Sequence, residues 1–112
     1  MNAETVIAHN AKARKSTNGT RNVCFYLIDP SAEEVCVAGT FNGWNPAAAP
    51  MTREGRKLWA KELMLPFGRC EYQFVIDGHW KPDWAAKETV LNPFGELNSV
   101  ITVGPTNGNE RN

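Results

Sequence analysis

The sequence predicts an all-β domain, an antiparallel β-sandwich. Three observations carry that expectation. Short apolar runs alternate with a period of two. Glycine, proline, asparagine and aspartate punctuate them. The length, 112 residues, suits one core and is too small for a barrel-sized enzyme scaffold.

The elements follow in order. "VCFYLI" places Val23, Phe25 and Leu27 on one face, and Asp29-Pro30-Ser31 marks a turn. "EVCVAG" turns Val35 and Val37 inward. If residues 23–28 and 33–38 form a hairpin centred near Pro30, Cys24 and Cys36 fall opposite each other, and a cross-strand disulfide becomes conceivable under oxidation. "LWAKELML" groups Trp59, Leu63 and Leu65 with Lys61, of which only the aliphatic stem suits burial. "CEYQFVI" sets Tyr72, Phe74 and Ile76 against Glu71, Gln73 and Val75. "LNSVITV" alternates Leu97, Ser99, Ile101 and Val103 with Asn98, Val100 and Thr102. The expected organisation is a flexible tail over residues 1–20, the sandwich over 21–104 and a second tail over 105–112. Within the first tail, Glu4–Lys15 has the makings of a short, poorly anchored helix, and Asn18-Gly19-Thr20 matches the glycosylation sequon.

Composition excludes several functions. Hydrophobic residues make up 42% and charged residues 21%, and 12 Lys plus Arg balance 12 Asp plus Glu. That balance offers no electrostatic case for nucleic acid or an anionic membrane as partner. The apolar runs are too short to span a bilayer, and the opening residues show no signal-peptide pattern. Cys24, Cys36 and Cys70 lack metal-ligand spacing, and their odd number fits a reducing, cytoplasmic setting with free thiols. The two histidines, His9 and His79, are isolated. Among the carboxylates Asp29, Glu71, Asp77, Asp83 and Glu96, the first and third are better explained as turn formers. No phosphate loop, catalytic pair, metal site or cofactor site is expected.

The aromatic residues are more informative. Trp59 fits a strand and the core, whereas Trp44, Trp80 and Trp84 fall in turns or loops. A lone loop tryptophan most often caps a sandwich end. Trp44 and Trp80 each follow a turn, in "GTFNGW" and "DGHW", and as a pair they suggest rings displayed for binding. A pyranose has an apolar C–H face that stacks on indole and rim hydroxyls that need amide or carboxylate partners. Gln73 points outward on the strand leading to the Asp77-Gly78 turn, and Asn98 points outward on the last strand.

Three blocks in order, "VCVAGTFNGWNP", "LPFGRCEYQFVIDGHWKPD" and "NPFGELNSVITV", resemble the family-48 carbohydrate-binding modules. Such modules occur in the beta subunits of AMP-activated protein kinase and in glycogen branching and debranching enzymes. The resemblance covers residues 22–103 and implies an early-set, immunoglobulin-like sandwich that binds α-1,4-linked glucans such as glycogen without catalysis. By the resemblance, the sugar-stacking tryptophans fall on Trp44 and Trp80, and an asparagine contact falls on Asn98. A lysine contact falls on Gln73, an inserting leucine on Phe94 and a threonine contact on Glu96, so these three depart in residue type. Trp84 also departs, standing after Asp83 where the family has proline; it either widens the platform or closes the sandwich end. The expected partners are an α-glucan and a glucan-processing enzyme or kinase-like protein. The alternatives are a module of the same fold that docks a protein, and an accessory piece that works beside a catalytic chain.

Overall fold

The computed structural model describes residues 19–105. The segment Glu4–Lys15, His9 and the tail beyond Pro105 lie outside them. Among the described residues eight strands follow in chain order: β1 (Thr20–Ile28), β2 (Val35–Gly39), β3 (Thr52–Glu54), β4 (Leu58–Pro66), β5 (Gly68–Ile76), β6 (His79–Lys81), β7 (Glu88–Leu91) and β8 (Leu97–Val103). They form two antiparallel sheets. One runs β1-β4-β3; the other runs β2-β5-β8-β7, with β6 continuing the β8 edge of β5. The all-β sandwich read from the sequence is the fold observed. Among the described residues, no helix is long and apolar enough to cross a membrane.

The inward residues of both sheets make one core. Val23 and Phe25 of β1 and Trp59 and Leu65 of β4 meet Val35, Val37, Tyr72, Phe74, Ile101 and Val103 of the larger sheet. Phe25 meets Tyr72 edge to face, with ring centroids 5.0 Å apart, a favoured aromatic geometry across the sheet interface. Leu27 and Leu63 are only half-buried, and Leu97, at the start of β8, is exposed. Half-buried Lys61 is consistent with burial of its stem alone.

The β1–β2 connection departs from the hairpin expectation. β1 pairs with β4, which sets Cys24 opposite Glu62; β2 pairs with β5, which sets Cys36 opposite Val75. The turn after Ile28 therefore carries the chain from one sheet to the other, and Cys24 and Cys36 are not cross-strand neighbours. All three cysteines are free. Burial raises the Cys36 and Cys70 thiols, which keeps them protonated and inert. The strands absent from the sequence reading, β3, β6 and β7, are each only three or four residues long.

Turn chemistry closes the fold. Asp29 Oδ1 accepts from the backbone N–H groups of Ser31 and Ala32. Asp77 and Gly78, both with positive φ (50° and 85°), make the two-residue β5–β6 turn, as a type I′ hairpin requires. Asp77 Oδ1 also accepts from Glu33 N and Glu34 N, tying the sheet-crossing loop to that hairpin. Asp83 is buried rather than displayed as an acid. It accepts from the Tyr72 hydroxyl at 2.7 Å, and its backbone N–H donates to Ser99 Oγ at 2.8 Å. Burial, reinforced by that carboxylate, pushes the Tyr72 phenol far above its ordinary range.

Trp59 is 5% exposed, donates its indole N–H to Asp29 O at 3.1 Å and carries the Arg53 guanidinium 4.7 Å over its ring. Trp59→Ala should therefore destabilise the chain by about 3–5 kcal/mol, as large core truncations do. Chemical denaturation checks this. A loss below about 1 kcal/mol would remove Trp59 from the core.

Candidate functional site

The outward face of β5 supplies a floor. Tyr72 and Phe74 enter the core, so the strand period turns Glu71, Gln73 and Val75 to the opposite side. Three pieces of chain rise around this floor: the loop after β2, strand β6 and the β7–β8 loop. Together they enclose a cleft of about 610 Å³.

The loop after β2 presents Trp44. Asn42 pins it: Oδ1 accepts from Gly39 N at 3.0 Å, and Nδ2 donates to Val37 O at 3.2 Å. Trp44 N then donates to Gly39 O at 2.9 Å. Gly43 and Trp44 both take positive φ, 66° and 61°. For tryptophan this is an outlier that costs on the order of 1–3 kcal/mol and persists only where neighbours impose it. Trp44 is half-buried and packs on Cys36, Ala38 and Val75. Gly39 admits no side chain, because a Cβ there would run into Glu71 O and the Phe41 ring.

Trp80 sits on β6 rather than in a loop. It pairs with Val75, which brings its ring to the floor side. It is 42% exposed, and its ring centroid lies 6.5 Å from that of Trp44 at an interplanar angle of 41°. The β7–β8 loop folds around Asn92, whose Oδ1 accepts from Phe94 N at 2.9 Å and Glu96 N at 3.0 Å. The loop holds Phe94 at 87% exposure on the rim, with Glu96 beside it.

All six residues singled out from the sequence, Trp44, Gln73, Trp80, Phe94, Glu96 and Asn98, line this cleft. Trp84 does not line it and is 78% exposed, so it does not close the sandwich end. Thr40, Glu71, Asn92 and Pro93 also line the cleft and were missed. Glu71 was within reach of the strand period, since it shares a face with Gln73. Asn92 carried only a turn signal before proline.

The polar floor is a connected set. Gln73 Nε2 donates to Asn98 Oδ1 at 2.8 Å, Asn92 Nδ2 donates to the same oxygen at 3.1 Å, and Asn98 Nδ2 donates to Glu71 Oε1 at 3.0 Å. Gln73 is 3% exposed and Asn98 5%. Two tilted rings above amides and carboxylates can stack an apolar ring face and bond its rim hydroxyls. Among the described residues, no group of three or more His, Cys, Asp or Glu side chains is placed to hold a metal ion.

Residues 28–109, well over half of the chain, match the family described as the glycogen recognition site of AMP-activated protein kinase. The chain belongs to that family. Among its relatives, the mouse 5'-AMP-activated protein kinase subunit beta-1 is 35% identical over 98 residues, which is 88% of this chain and 35% of the mouse protein. The cattle subunit is 36% identical over 74 residues, 66% of this chain and 26% of that protein. The chloroplastic protein FLOURY ENDOSPERM 6 of rice is 32% identical over 92 residues, 82% of this chain and 17% of the rice protein. The chain thus spans only a part of the length of each of these relatives. The glycogen-recognition family lends its fold to a cleft whose ring pair and amide floor are set out above.

Asn42→Ala should release both pins of the Trp44 loop and cost about 1–3 kcal/mol of stability, the range for unmaking a buried hydrogen bond. Tryptophan fluorescence should shift as Trp44 leaves Cys36 and Val75. An unchanged spectrum with unchanged stability would show that the loop holds without Asn42.

Proposed function

We propose that this chain is a non-catalytic glucan-binding module that docks α-1,4-linked glucose units on Trp44 and Trp80. The observation that carries the reading is the ring pair itself, 6.5 Å apart above a hydrogen-bonding floor. The indoles stack on successive sugar faces. Asn98 and Gln73 supply polar groups at the floor, with Glu96 at the rim, and Phe94 wedges against the glucan from the exposed loop. Membership in a glycogen-recognition family supports the ligand class.

The relatives carry the matching segment within longer chains. That supports an accessory role: this module would hold a glucan for a glucan-processing enzyme or a kinase-like partner. The odd cysteine number supports a reducing compartment such as the cytoplasm.

Binding to glycogen tests the reading. Trp44→Ala and Trp80→Ala should each weaken it by about 1–3 kcal/mol, by analogy with base–aromatic stacking. Salt should matter little for the neutral polymer, because no ion pair forms. Trp80→Ala should leave folding stability nearly intact, whereas Trp44→Ala should lower it as well, since that ring covers Cys36, Ala38 and Val75. Unchanged glycogen binding in both variants would end the stacking reading.

The isolated chain should release no reducing sugar from glycogen above a buffer blank. The hydrogen bond that engages the Glu71 carboxylate and the structural burial of Asp83 motivate this. Release that disappears on changing one carboxylate would reverse it.

A further inference from the structure

The direction of the amides on the floor has a consequence for which glucans fit. We propose that the cleft takes uncharged glucose units and turns away those bearing an anionic substituent, with Glu71 setting this selectivity. The inference rests on the glucan reading above.

Glu71 Oε1 receives Asn98 Nδ2 at 3.0 Å. A carboxylate only accepts, so it fixes which way the Asn98 amide points. Asn98 Oδ1 then faces the opposite way and accepts from Gln73 Nε2 and Asn92 Nδ2. Asn92 is fixed independently, because its own Oδ1 accepts from two backbone N–H groups. Turning the Gln73 amide over would set its oxygen against Asn98 Oδ1. Gln73 is therefore held with Nε2 toward Asn98 and with Oε1 buried and without a hydrogen-bond partner.

An unpartnered buried acceptor calls for a donor. A sugar hydroxyl is one. A phosphate or carboxylate oxygen on the sugar is an acceptor and adds repulsion instead. Glu71 and Glu96 contribute negative charge to the same cleft, and among the described residues no lysine, arginine or histidine lines it to offset them. Like charges brought together in a partly desolvated cleft repel more strongly than in bulk water. Glu71 is thus a positioning residue for Gln73 and part of the charge barrier.

The test is isothermal titration of the full chain with two probes: maltotetraose, and maltotetraose with every C6 hydroxyl oxidised to a carboxylate. The neutral probe should bind about tenfold or more tightly, and added salt should narrow the gap. Glu71→Gln should narrow it by roughly threefold at low salt, a ratio that general damage to the site would not move. If circular dichroism shows that Glu71→Gln does not fold, Glu96→Gln on the exposed rim tests the same barrier and should narrow the gap likewise. Equal binding of both probes to the native chain overturns the selectivity while leaving the glucan reading intact. A gap unchanged in every folded variant overturns the assignment to these carboxylates. Binding of neither probe overturns the glucan reading and this inference with it.

Discussion

The period-two alternation of β5 is the constraint on which the rest depends. Its inward residues Tyr72 and Phe74 occupy the centre of the core; its outward residues Glu71 and Gln73 line the cleft. A one-residue slip would exchange the two sets, burying a carboxylate in the core and stripping the floor. The register is held from both edges. β2 pairs along Tyr72 to Ile76 on one side. On the other, β8 pairs as far as Tyr72 and β6 begins at Phe74. Gln73 falls at the junction where one neighbour gives way to the next. Across that junction, the Tyr72 hydroxyl and Ser99 both hold Asp83, fixing the chain that leaves β6. The core side of β5 thereby stabilises the gap that the cleft side uses.

The loops show where local conformation is given up for placement. Trp44 takes a left-handed backbone that tryptophan avoids, and two Asn42 bonds together with the Trp44–Gly39 bond hold it there. The β5–β6 turn has no such conflict, because Asp77 and Gly78 suit positive φ. The two rings are thus delivered by different means: Trp80 by strand pairing, Trp44 by a strained loop packed on Cys36, Ala38 and Val75. Those contacts make Trp44 part of the fold as well as of the cleft. An outlying φ at a residue that also lines a cleft is the usual place for a binding demand to override backbone preference.

Much of this was legible in the sequence, and the reasons differ by residue. Five longer runs announced themselves by alternation, and the tryptophans after the Asn42-Gly43 and Asp77-Gly78 turns pointed to what the structure shows as a cleft. Alternation specifies which face a residue takes, and not which strand lies beside it. The hairpin of β1 with β2 was therefore a fair local reading that pairing with β4 and β5 overrode. Asp83 looked like an available carboxylate because its partners, Tyr72 and Ser99, are 11 and 16 residues away. β3, β6 and β7 were hidden by their length, since three or four residues hold too little pattern to separate a strand from a turn. Asn92 was hidden for another reason: its role is to fold its own loop and face Asn98, and neither act leaves a periodic trace.

The division of labour in the cleft follows from the chemistry of its parts. Stacked indoles supply apolar contact that any sugar face or flat ring can use, so the platform alone discriminates weakly. The floor has the opposite character. Its amides bond to one another in a chain that ends on a carboxylate, which leaves them little freedom to turn toward a new ligand. A resemblance that places a lysine at position 73 would give the floor a mobile cation, able to follow a hydroxyl or an anion alike. Gln73 gives instead a fixed group whose nitrogen is already engaged and whose oxygen is not. On the glucan reading proposed above, affinity in this cleft would belong chiefly to the rings, and discrimination to a direction of hydrogen bonding that begins at Glu71.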